Sequence, residues 1–183
     1  CIRDRPKPLG YGATATLPQG VMLIGGSNAG GAVADCYMLT WENGDVSCKP
    51  VAPLPVTLTG HAAVVMGGKV YVQGGSIAVG EQDAESRMWI YDPAADSWTE
   101  GEAMPARGRF LHQMAVIGNT LYVLGGIGIV PGEDGRQVRE MLTEAWSYSE
   151  ATGWRRLSYL PHFCGAAPTP APVINGCIYL MGG

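Results

Sequence analysis

The residues best suited to chemistry gather in three stretches lying between apolar runs. Glu81 is followed by Arg87; Arg107, Arg109 and His112 come next; Glu133, Asp134, Arg136 and Arg139 form the last group. Acids, arginines and histidines around one pocket suit a polar small molecule. A carboxylated one is favoured, because the guanidinium presents a planar fork of donors that matches two oxygens. The competing reading is a solvated charged rim, since exposed connections carry charge routinely. His61 and His112 each open an apolar run, a place for a channel-lining group or for a satisfied structural histidine. No Ser-His-Asp order, HExxH, phosphate loop or dinucleotide fingerprint stands in its required strand and helix context. Three histidines without a ligand cluster also speak against a metal site, copper included.

The elements that must position these residues are short strands in a repeating order. An apolar strand, a two-residue turn and a second apolar strand ending in Gly-Gly recur four times, with the second glycines at Gly26, Gly75, Gly126 and Gly183. That period, about 50 residues, is the length of one four-stranded propeller blade. The second repeat shows the rest most clearly: His61–Met66, a turn at Gly67-Gly68, then Arg87–Asp92, a turn through Pro93–Asp96, and Ser97–Glu100. Paired residues that accept positive φ suit a hairpin whose turn matches strand twist, and Gly118-Asn119 and Asn175-Gly176 repeat the device. The blades are expected at roughly 9–55, 58–105 and 109–161, with 166–183 an incomplete fourth, all within one partial propeller spanning 1–183. The second-to-third connections, 27–33, 76–86 and 127–140, are read as loops on the same face as the interblade links, around the mouth of the central channel.

Composition agrees with this organisation. Twenty-seven glycines, thirteen prolines and only 15% charged residues describe many strands joined by tight turns rather than helices or disorder. A formal charge of −4 supplies no basic field for a polynucleotide, so nucleic acid is not expected as a partner. No stretch approaches the ~20 apolar residues of a membrane-spanning helix. The five cysteines are odd in number and lack a CxxC pair, which argues against a disulfide framework or structural zinc. Cys1 reads as a fragment boundary or as the first residue of a processed lipoprotein.

The Gly-Gly pairs, the spaced Tyr91-Asp92 and Trp98, and the closing Met104-Pro105 and Leu160-Pro161 resemble kelch repeats along the whole chain. The fold expected is all-β, a kelch-type β-propeller, with about three and a half four-stranded blades of a six- or seven-bladed ring. The remaining blades would lie in further sequence or in another chain. Its tyrosines and tryptophans are expected between neighbouring blades as core.

The opening Gly10-Tyr11-Gly12-Ala13-Thr14-Ala15-Thr16, followed by Val21–Gly31 with its Ile24-Gly25-Gly26, is similar to one kelch branch, the sialic-acid mutarotases (N-acetylneuraminate epimerases) in cyclically permuted form. That resemblance implies a bacterial isomerase of cytoplasm or periplasm. It would interconvert the anomers of N-acetylneuraminate, a small-molecule sugar acid, by acid/base-assisted ring opening, with no metal or organic cofactor. It implies a glutamate and an arginine six residues later as the catalytic pair. Glu81 with Arg87 and Glu133 with Arg139 match that spacing, while aligning the blades in order places the family's own pair beyond Gly183. Substrate contacts fall on Arg109, at the family's arginine position, with His112 and Arg139. The alternative is a kelch-type protein-interaction module without catalysis, gripping its partner on the same loop-rich face.

Overall fold

The computed structural model describes residues 8–78, 83–165 and 170–180, and all regular structure in them is β. Among these residues no helix is long and apolar enough to cross a membrane. The first sheet runs β1 (Ala13–Leu17), β2 (Gly20–Asn28), β3 (Gly31–Glu42) and β4 (Asp45–Val51) in spatial order, each antiparallel to the next. The second repeats the order with β5 (Ala62–Met66), β6 (Lys69–Gln73), β7 (Met88–Asp92) and β8 (Ser97–Glu100). In the third, β9 (Gln113–Ile117) and β10 (Thr120–Leu124) lead into an inserted ribbon, β11 (Ile127–Pro131) and β12 (Gln137–Met141). The sheet is then completed by β13 (Ala145–Ser149) and β14 (Gly153–Arg156). A two-stranded hairpin, β15 (Val173–Ile174) and β16 (Cys177–Ile178), starts the fourth.

The second sheet is apolar on both faces because it is sandwiched between the first and the third, so alternate residues of one strand enter different cores. On β6, Val70 and Val72 pack towards the first blade with Met22, Ile24 and Met38, whereas Tyr71 packs towards the third with Met114, Leu121 and Val123. Burying each such side chain stabilises the fold by about 1.5–3 kcal/mol. The aromatics of the second and third sheets are largely core, as their spacing implied, whereas Tyr11, Trp41 and Tyr159 are exposed. Tyr91 and Tyr148 are buried against the tilted rings of Trp98 and Trp154, centroids 5.1 and 5.0 Å apart. The two indole N–H groups donate back to the preceding blade, Trp98 to the Ala52 carbonyl and Trp154 to that of Glu102, both at 2.9 Å. The tryptophans therefore bond successive blades as well as filling space between them.

Backbone bonds repeat at the axis. The second glycine of each of the three described pairs donates at 2.8 Å to the segment beginning the next blade: Gly26 to Leu58, Gly75 to Arg109, Gly126 to Cys164. Nearer the channel, Gly60 donates to Tyr11 and Leu111 to Gly60, linking three residues that all hold positive φ. The first glycine of each of the three described pairs has no room for a side chain; a Cβ on Gly74 would run into the Arg109 carbonyl and lie 2.8 Å from His112 Cε1.

Two connections read as loops are instead paired. Residues 27–33 prolong the β2–β3 hairpin past a bulge at Ile24/Gly26, with Ser27 opposite Ala32 and a turn in which Gly30 N–H donates to Asn28 Oδ1. Residues 127–141 form the β11–β12 ribbon, closed where Gly132 N–H donates to the Arg136 carbonyl and Arg136 N–H to Asp134 Oδ1. Ile127, Ile129, Val130 and Val138 supply the β-branched pairing that makes a ribbon preferable to an open loop.

Candidate functional site

Three segments converge between the second and third blades. They are the link leaving β8, the residues entering β13 and the residues leaving β14. Strand alternation places all of them on the face of the second-to-third connections. They enclose a cleft of about 440 Å³ whose chemistry comes from Arg107, Glu140, Met141, Glu144, Arg156 and Tyr159.

Behind its Glu144 wall the fully buried Arg109 donates Nη1–H to the Gly125 carbonyl at 3.0 Å and Nη2–H to Glu144 Oε2 at 2.8 Å. Glu144 also accepts the Trp146 indole N–H, and its other oxygen lies 3.7 Å from Arg156 Nη2. Burial works to raise the Glu144 carboxyl, but the Arg109 guanidinium, Trp146 and Arg156 outweigh it and hold the group below the usual carboxylate range. At the rim Arg107 pairs with Glu140, and Arg156 meets the Tyr159 hydroxyl with its guanidinium carbon 4.7 Å from the ring centroid. The cleft is thus a set of arginines on fixed carboxylates, bordered by the exposed Met141 (67%) and Tyr159 (62%).

The residues singled out in the sequence distribute unevenly around this cleft. Arg109 reaches it from below, through Glu144. His112 is fully buried beside the same junction, and burial, with Arg109 and His61 nearby, pushes its pKa well below the usual imidazole value. His61 is its counterpart one blade earlier, with Nε2 3.1 Å from the Ile24 carbonyl, and burial lowers it to about 4. Both rings are neutral packing groups near neutral pH. Arg87 stands before β7, bonded to Glu85 at 2.6 Å with its guanidinium 5.7 Å from the Trp89 ring. Arg139 lies exposed on β12 opposite Ile129, and Glu133 sits in the ribbon's turn. Glu81 lies outside the described residues.

The residues that make the cleft, Glu144, Arg156 and Tyr159, were not foreseen. A signal existed for the first. Asp35, Arg87 and Glu144 occupy one register position, within β3 in the first blade and immediately ahead of β7 and β13 in the next two. Among the described residues no group of three His, Cys, Asp or Glu side chains is placed to hold a metal ion.

Antiparallel four-stranded sheets in repeated order, packed face to face with interblade tryptophan bonds, define a segment of a kelch-type β-propeller. The comparisons with known proteins agree. Residues 57–105 match the Kelch motif. The chain is 34% identical over 145 residues to Kelch repeat and BTB domain-containing protein 12 of Homo sapiens, covering 74% of this chain and 23% of that protein. It is 28% identical over 174 residues to Kelch-like protein 36 of Bos taurus, covering 92% and 26%. The chain therefore spans about a quarter of the length of these relatives. The solved structure of YjhT shares the fold with a TM-score of 0.69 at 19% identity, over 90% of this chain and 55% of that one.

Proposed function

We propose that this chain is the protein-docking part of a kelch-type propeller and that it takes its partner at the cleft between the second and third blades. The carrying observation is the exposure of Tyr159 and Met141 beside Arg107 and Arg156. Tyrosine, methionine and arginine are the side chains enriched at protein interfaces, and a few of them carry most of the affinity. The β11–β12 ribbon, with Val138 exposed, extends the same face. The likeness to kelch-like proteins supports this reading over catalysis, and every acid in the cleft is already tied to an arginine.

A second reading, anomer exchange of a sialic-acid-like sugar, is favoured by one feature: two arginines and two glutamates line a small polar cleft, with Arg109 bonded to one of the glutamates from behind. In it, Arg107 and Arg156 receive the substrate carboxylate and Arg109 acts through Glu144. The test is affinity capture by the tagged intact protein, compared with Tyr159→Ala and Arg156→Ala. Specific partners should be lost with about a 30-fold fall in affinity at either position, while the melting temperature holds. Undiminished capture by both variants would remove the cleft as the docking site. Proton NMR of freshly released N-acetylneuraminate anomers decides the second reading, since acceleration by the protein would favour it.

A further inference from the structure

The junction between the second and third blades differs from its neighbours at its centre. Strand register places Ile24, Gln73 and Leu124 at one position of successive blades. The repeated glycine bonds likewise place Leu58, Arg109 and Cys164 at another. The first-to-second junction therefore holds Ile24 and Leu58, and the third-to-fourth holds Leu124 and Cys164, all buried and apolar or nearly so. Only the second-to-third junction carries a polar pair there, Gln73 and Arg109. Gln73 shares the strand parity of Tyr71, and His112 shares that of Met114, and both of those pack into the core between these two blades. Gln73 and His112 thus face each other across the junction, with Arg109 alongside.

All three side chains are fully buried. Five of their polar atoms lack a partner among the described residues: Gln73 Nε2 and Oε1, Arg109 Nε, and His112 Nδ1 and Nε2. Buried polar groups are nearly always bonded, and five together on one junction mark a binding site rather than a packing fault. The ligand's chemistry follows from the inventory. Gln73 offers donors and an acceptor, neutral His112 one of each, and Arg109 Nε a donor. An anion would leave the Gln73 oxygen and the His112 acceptor unmatched, and a cation would be repelled by Arg109. Water both donates and accepts, and a buried water typically makes about three bonds.

We infer that Gln73, Arg109 and His112 enclose a buried hydration site between the second and third blades, holding structural water. The same Arg109 guanidinium grips Glu144, so the hydrated junction sets where that carboxylate stands in the cleft. This inference is independent of what the cleft binds. A high-resolution crystal structure of the intact protein, with a parallel bromide soak, tests it. Ordered solvent within hydrogen-bonding distance of at least two of the three side chains, with no anomalous bromide signal, is expected. Direct bonds among the side chains with no solvent between them, or a bromide peak at the site, would overturn it. A second measurement is Gln73→Ile, which copies the residue of the first blade. It should lower the melting temperature by several degrees by stripping the water of its amide partner, and an unchanged or raised value would count against the site.

Discussion

Arg109 and Glu144 show how burial changes what a residue is for. An arginine on an interblade link reads as an open carboxylate receptor, but here the guanidinium is fully buried and already holds an internal carboxylate. Removing the charge of one partner strands the other. Glu144→Gln should cost about 2 kcal/mol in chemical denaturation, less than the ~3–5 kcal/mol of a fully buried pair because a quarter of Glu144 remains solvated. Glu42→Gln is the control. Its pair with Lys49 at 3.2 Å is largely exposed on both sides, so the denaturation midpoint should not move. Equal losses in the two variants would show that the Arg109 pair is no more than a surface contact. The presence of Arg109 and His112 on the chain was plain from sequence. Their burial was not, because it depends on Gly125 and Glu144, far along the same blade, and on Gln73 from the blade before.

At the scale of elements, turn chemistry was the most legible part. Gly67-Gly68 and Asn175-Gly176 turn hairpins with positive φ at both residues, as their types require. The β11–β12 ribbon was missed although its signal was present, β-branched residues on either side of an Asp134-Gly135 turn. A polar tip and interspersed glycines made it resemble a loop, and only the register of Ile129 with Arg139 shows the pairing. The glycine pairs were legible as punctuation, and the structure adds their reason. At Gly74, φ is +67° and the site of a Cβ is filled by the Arg109 carbonyl and the His112 ring. At Gly67, φ is +58° but the space is open. Gly67→Ala should therefore cost about 1–2 kcal/mol from backbone strain alone, and Gly74→Ala more than about 3 kcal/mol, as measured by urea midpoints. Similar costs at the two positions would refute the steric account of the first glycine.

At the scale of the molecule, the chain is a row of sheets, each stabilised chiefly by its neighbours, so stability should be graded from axis to rim. In the intact protein, hydrogen exchange followed by mass spectrometry should be slowest in β5, β6, β9 and β10, which are largely buried and hydrogen-bonded within their sheets. It should be fastest in β11–β12, whose second strand is exposed throughout. Uniform protection would mean that the ribbon packs against something further. By itself the sequence determined the blade strands, the hairpin turns, the period and hence the propeller, because strand alternation and glycine conformation are local properties of the chain. Only the tertiary structure decided which charges meet. Arg109 bonds Glu144 across 35 residues of the third blade, and Gln73 faces His112 where the second and third sheets press together. Nothing in the local spacing of those residues encodes which partner the neighbouring sheet presents.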